Sequence, residues 1–525
     1  MAPRYSLAAI IENSTNTDQF LFLRQTPPPH PPEPEYSNYI DSDLWDFPSA
    51  PLNPLNHQSP PSSLHIDGAD SYSEKLNLCM FDLDSALDQV LSQVGIERSA
   101  VGHWVLWKYV EEADFGPEPA IHTVFIRGKL KDKEESRREV SKWMSIQSSL
   151  ELLLEVKADN ERVGPMAVTG LLTESAETRK WKVPNTLHYQ EYPPGIALVP
   201  MRSRTQRPFC TTNLVVIAPG DVTNHSGYSS SSIYGDALIM DPGCLADCHA
   251  ELMDVVAALP RKLVVFVTHH HYDHVDGLSI IQKCNPDATL LAHENTIRRI
   301  RKDDWSLGYT PISGGEAIHI GGQRLKVIFA PGHTDGHMAL LHVGTHSVIV
   351  GDHCVGQGSS VLDITSGGNM KDYFQTTYNF LELSPHVLIP MHGRFNLWPK
   401  RMLCGYLKHR RDRESSILNA IENGAVTLFD IISKSYADVD TKLWIPASSN
   451  VRLHVDYLAH QDKLPKDFSM QKFKASSGIS FLCRWIWVYG KSGALSIFPK
   501  CSALKLLTFI AVAVLAICFM LLNTS

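Results

Sequence analysis

The sequence predicts a multidomain chain of mixed α/β (α+β) class. Three observations carry this. Over about 200 residues from Tyr192, short apolar runs alternate with helical patterns, as expected of buried strands connected by helices. Several of those runs stop at a histidine or an aspartate, which places polar side chains at strand ends. From Met402 to Phe468 the strands give way to polar-faced helices.

The first domain is expected over residues 1–185. Tyr5–Ile11 and Gln19–Arg24 read as strands joined by the polar Glu12–Asp18, and the Pro-rich Thr26–Pro34 as a loop. Asp43–Ser49 and the helical Ser85–Ile96 precede the strand-like His103–Val110 and Ile121–Leu130. This succession resembles a Nudix domain, whose working helix carries a run of glutamates that holds magnesium against a diphosphate. Asp88, Gln89, Ser92 and Gln93 occupy the corresponding positions, so the resemblance implies a degenerate, non-catalytic domain. An unrelated small α+β domain is the alternative. Lys131–Lys157, charged and then leucine-rich, reads as one or two helices closing the region.

The second domain is expected over residues 192–400, with Thr211–Ile217 as an early strand and Ser226–Ser232 as a surface loop. Leu263–Thr268 is apolar, β-branched and too short for a helix, hence a buried strand. It ends in His269-His270-His271-Tyr272-Asp273-His274. Imidazole and carboxylate at this density are explained by a cation, and zinc takes both at about 2.0–2.2 Å. His269 and His271 alternate onto one side of an extended segment, and Asp273 and His274 come next as it turns into a helix. One segment can then serve two neighbouring ions. Downstream, the apolar runs Leu325–Phe329, Val348–Val350 and Val387–Ile389 deliver His333, Asp352 and His392 in turn.

The H-x-H-x-D-H pattern, with those three later residues, resembles the metallo-beta-lactamase superfamily over Tyr192–Phe468. The resemblance implies an αββα sandwich and two Zn2+ per chain. His269, His271 and His333 would hold one ion and Asp273, His274 and His392 the other, with Asp352 bridging. Asp273 would also be catalytic, orienting a metal-bridging hydroxide. Asp241, in Ala237–Gly243, matches the motif whose aspartate orients ligands from behind. Residues 402–468 resemble the winged-helix tail of a subfamily that includes a mitochondrial endoribonuclease and polyketide thioesterases. That implies hydrolysis of an RNA phosphodiester or of a small acyl (thio)ester; alternatively the tail only packs beside the active site. Two other functions stay open: a mononuclear iron oxidoreductase resembling persulfide dioxygenases, and a catalytically silent membrane scaffold. His270 should point away from the ligands, His337 could stand behind them, and His293 and His353 read as structural. Lys371 and Tyr373 could touch substrate.

Composition narrows the partners. A formal charge of -8 argues against a surface that coats nucleic acid broadly. Ten cysteines without C-x-x-C spacing read as reduced, mostly buried thiols. The N-terminal residues reach Glu12 and Asp18 before any long apolar core, unlike a secretory signal. Leu506–Leu522 carries no charge and is long enough, at about 1.5 Å per residue, to span roughly 25 Å of hydrocarbon. It is expected to be a single-pass transmembrane anchor over 506–522, with the catalytic part facing the cytosol. No protein partner is indicated.

Overall fold

The computed structural model describes residues 2–29, 33–55, 63–68, 76–131, 140–154, 156–173, 184, 187–218 and 232–489. The chain divides into two compact units. The first comprises Met1–Pro331, Asp335–Ser360 and Gln375–Tyr406, the second Gly332–Thr334, Val361–Phe374 and Leu407–Ser525.

The first unit opens with a mixed nine-stranded sheet. Arg4–Glu12 pairs in parallel with Ile121–Leu130, from Arg4↔Ile121 to Glu12↔Lys129, and antiparallel with Gln19–Gln25. Successive side chains of a strand point to opposite faces. Leu7, Ala9 and Ile11 therefore enter one core, and Ala8 and Ile10 another. The first core lies under the helix Leu83–Val94, whose Leu83, Leu87, Val90, Leu91 and Val94 form its apolar stripe. Asp82 caps that helix by accepting from the Ser85 amide, and Gly95 ends it in a left-handed turn. Asp88, Gln89, Ser92 and Gln93 lie on this helix. Ser92 and Gln93 donate to the Gln89 and Ser49 carbonyls, and no three metal-capable side chains gather there among the described residues.

The second core is continuous with the rest of the unit. Phe20, Phe22, Phe47, Phe115 and Phe125 share one apolar cluster with Leu198, Val215, Phe266, Leu325, Leu340 and Ile389. The latter belong to two further sheets, of seven and six strands, that face each other across it. In the seven-stranded sheet Ala237–Met240, Leu263–Phe266 and Thr289–His293 run parallel; in the other, Ser347–Gly351 runs parallel to Val387–Pro390. Parallel neighbours end on the same edge, so the residues just beyond each strand are gathered there. The outward residues Ile239, Val265 and Leu290 pack under the helices His249–Ala257 and Leu278–Cys284.

The second unit has its own core, built from Ile417, Leu428, Ile431, Val451, Val455 and Phe473 among others. Its described elements are helical, including Leu428–Ser435, Trp444–His460, Met470–Ala475 and Ile479–Tyr489. Among its described residues no strand accompanies them as a wing.

Two expectations need correction. Among the described residues no helix is long and apolar enough to cross a membrane. The last described helix, Ile479–Tyr489, carries Arg484 and at 11 residues reaches about 16 Å, half of a bilayer's hydrocarbon. Leu506–Leu522 lies outside the described residues, and the transmembrane anchor and its cytosol-facing placement are not supported. Of the eight described cysteines half, not most, are buried: Cys244, Cys248, Cys354 and Cys404.

Candidate metal centre

The site starts with a strained aspartate. Asp241 follows the strand Ala237–Met240 with φ 50, a left-handed conformation that costs a non-glycine residue energy unless its surroundings fix it. Its own amide donates to the Phe266 carbonyl at 3.0 Å. Its carboxylate, fully buried, accepts from the Thr268 amide at 2.7 Å, the Thr268 hydroxyl at 2.6 Å and His274 Nδ1 at 2.8 Å. That third bond places the His274 ring proton on Nδ1 and turns the Nε2 lone pair the other way.

His274 sits on the short helix Tyr272–Val275, as does Asp273. Its Nε2 is buried without a hydrogen-bond partner, 3.5 Å from Asp352 Oδ1 and 3.8 Å from Asp273 Oδ1. His392 approaches the same carboxylates from the strand Val387–Pro390. Its Nδ1 donates to the Thr211 carbonyl at 2.9 Å, and its Nε2 lies 3.3 Å from Asp352 Oδ1 and 3.4 Å from Asp273 Oδ2. Two imidazoles and two carboxylates thus converge, each histidine held from behind by an oxygen.

The electrostatics show what the cluster requires. Burial opposes charge on all four groups. Asp352 and Asp273 nevertheless raise His274 well above its ordinary range and His392 to about 10. In return the two histidines hold both carboxyls well below theirs. Two buried carboxylates this close call for positive charge, supplied by imidazolium protons or by a cation that displaces them.

His269 and His271 stand beside this cluster. His269 Nδ1 bonds the Thr268 hydroxyl at 3.0 Å, and its Nε2 meets His271 Nδ1 at 2.9 Å. His269, His274 and Asp352 form one group whose ligand atoms lie within 4.8 Å of one another; Asp273, His274 and His392 form a second. His333 belongs to the second unit, where its Nδ1 bonds the Val361 carbonyl at 2.7 Å. Of the seven residues singled out from the sequence, six therefore share the first unit, and five of those fall in these two groups.

His337, His293 and His353 are held in hydrogen bonds outside these two groups. His337 donates from Nδ1 to the Ala330 carbonyl and accepts the Asp352 amide at Nε2, so both nitrogens are engaged and it steadies Asp352 from behind. Burial pushes it down to about 3, so it is neutral. His293 caps the helix Glu294–Ile297, and His353 bonds Thr377. Tyr373 is wholly buried beneath the Arg410 guanidinium and is closed to substrate, whereas Lys371 is exposed. Thr211 and Thr268 were not singled out by sequence reasoning, because Thr211 acts through its carbonyl and Thr268 reads as a strand residue.

Histidine and carboxylate convergence at the strand ends of a two-sheet sandwich defines a metal-binding domain. Residues 234–392 match the metallo-beta-lactamase superfamily, whose members are typically metal-dependent hydrolases. The chain is 25% identical over 230 residues to the Beta-lactamase-like protein 2 homolog of Drosophila melanogaster, covering 41% of this chain and 75% of that protein. The Caenorhabditis elegans protein of the same name is 26% identical over 219 residues, 41% of this chain and 71% of its own length. A beta-lactamase domain protein from Burkholderia ambifaria aligns at TM-score 0.45 with 16% identity, over 56% of this chain and 95% of that one.

Proposed function

We propose that the chain is a dinuclear zinc hydrolase. His269, His271 and His333 are the ligands of one ion, Asp273, His274 and His392 those of the other, and Asp352 lies between. The observation that carries this is the pair of Nε2 atoms of His274 and His392, each with its Nδ1 proton fixed on an oxygen and each facing Asp273 and Asp352. Residues built for an ordinary ion pair do not need such control over which nitrogen carries the proton.

Zinc, when bound, lowers the pKa of a coordinated water toward neutrality and polarises the bond under attack. Asp273, held ionised by His274 and His392, orients the attacking water through a carboxylate oxygen. Its side chain is 16% exposed, against 12% for Asp352 and 3% for His392, so a substrate can reach it. Arg301 stands over the Tyr272 ring, next to Asp273, and favours an anionic substrate, whereas Arg204 over the same ring is paired with Asp276. An RNA phosphodiester and a small acyl thioester carrying a phosphate or carboxylate both fit that charge.

The test is metal content after purification without chelator or added metal. About two zinc ions per chain, with hydrolysis lost on Asp273→Ala and His392→Ala, is the expected result. About one iron per chain would move the assignment to oxygen chemistry; parental rates in both variants would overturn the mechanism.

A further inference from the structure

The N-terminal sheet domain has no acidic metal site of its own among the described residues, yet its loop between Val110 and Ile121 bonds Arg394, two residues past His392, and Thr211, whose carbonyl accepts from His392. Arg394, two residues after His392, donates from Nε to Glu112 Oε1 at 2.7 Å and from a terminal nitrogen to Glu112 Oε2 at 2.8 Å. A terminal nitrogen also donates to the Pro119 carbonyl at 2.7 Å. Glu112 is tied down in turn, because its Oε2 accepts the amide of Ile121, the first residue of the strand that pairs with Arg4–Glu12. The Thr211 carbonyl that receives the His392 Nδ1 proton belongs to a residue whose hydroxyl donates to the Phe115 carbonyl at 3.4 Å. Phe115 is fully buried.

We propose that this domain is a brace for His392, with Glu112 and Arg394 as positioning residues for the second metal site. The inference rests on the proposed function, in which His392 is a ligand. A two-pronged guanidinium–carboxylate pair fixes direction as well as distance. Ligands must be held to within about 0.5 Å to be productive, and outer partners that hold them are worth about 10- to 100-fold in metal affinity. The segment after the strand Val387–Pro390 is pinned locally by Asn213, whose amide nitrogen donates to the Pro390 and Gly393 carbonyls at 2.9 and 2.7 Å. Beyond Gly393 the chain is held by the Asn396–Leu388 backbone pair and, from the N-terminal domain, by Glu112 on Arg394, Arg162 on the Leu397 carbonyl, and Asp41 on the Lys400 and Arg401 amides.

The test titrates the full chain with zinc alone against a competing chelator. Glu112→Gln removes the charge while keeping an acceptor, and Arg394→Lys keeps the charge while removing the fork. Asp84→Asn, which weakens the half-buried Arg98 pair on the helix side of the same sheet, is the control. Each of the first two variants is expected to weaken one zinc about 10- to 100-fold and leave the other unchanged. The control should bind both as the parent does, and the metal-free proteins should melt together. Parental affinity in Glu112→Gln and Arg394→Lys would overturn the brace while leaving the hydrolase reading intact. Equal weakening of both zinc ions alongside a lowered melting temperature would also overturn it, by reducing it to general stability. Should Glu112→Gln fail to fold, Arg394→Lys decides by the same criterion. A parent that binds no zinc overturns the functional reading and the brace with it.

Discussion

Asp241→Asn is a near-isosteric change with a chemically specific consequence. The native carboxylate accepts three bonds, from the Thr268 amide, the Thr268 hydroxyl and His274 Nδ1. An asparagine that keeps its oxygen on the Thr268 amide turns its NH2 toward His274, so two donors confront each other. The clash is relieved if the His274 proton moves from Nδ1 to Nε2, and that removes the lone pair aimed at Asp273 and Asp352. A hydrogen bond to a charged group contributes about 1.5–3 kcal/mol. Since about 1.4 kcal/mol is a factor of ten, affinity for the ion served by His274 should fall about 10- to 100-fold. Competition with a zinc chelator at neutral pH measures this directly, and nitrogen NMR of the His274 ring reports where the proton sits. An Asn variant that binds zinc as tightly as the parent would refute the reasoning.

Two further outcomes rest on the geometry. Burial pushes the Asp46 carboxyl up to about 7 from its ordinary 3.8, against the amide donors of Ala167, Met166 and Phe47, so the folded chain keeps a proton that the unfolded chain releases. Its stabilising contribution is full below the lower value and is lost as pH rises through about 7, worth up to about 4 kcal/mol. Chemical unfolding across that window should show falling stability that Asp46→Asn flattens; a flat parental profile would count against it. Gly243 packs where a Cβ would overlap the Asp273 carbonyl and the His274 amide. Gly243→Ala should therefore displace the ligand-bearing turn, costing about 1–3 kcal/mol and lowering zinc content; an unchanged melt and metal ratio would contradict that placement.

The strand ends are the part of the fold most legible in the sequence. Tyr5–Ile11, Gln19–Arg24 and Ile121–Leu130 are found as Arg4–Glu12, Gln19–Gln25 and Ile121–Leu130, since apolar runs of this length are fixed by burial. Asp352 and His392 meet because each lies just beyond a strand of the sandwich, and His274 joins them from the short helix that follows Leu263–Phe266. Elsewhere a distant partner decides. Within Lys131–Lys157, Ser141–Ser145 is a strand because it pairs with Gln19–Leu23, and the helix begins only at Ile146. His409–Glu414 and Ile417–Ile421 are parts of one helix, Pro399–Glu422, whose dense basic run hides its periodicity. Arg394 and Glu112 are 282 positions apart, and no local pattern marks either as the other's partner.

The apolar cluster that runs from Ala8 to Met391 also governs how the chain is made. The first 172 residues already supply Phe47, Phe115, Leu153, Val168 and Leu172 to it, and Val387, Ile389 and Met391 complete it only when the last strand of the six-stranded sheet has been made. At about 5–20 residues per second, the intervening stretch of roughly 200 residues takes about 10–40 s to synthesise. For that interval the cluster lacks Val387, Ile389 and Met391, so a nascent chain paused there is expected to engage chaperones that hold apolar surface.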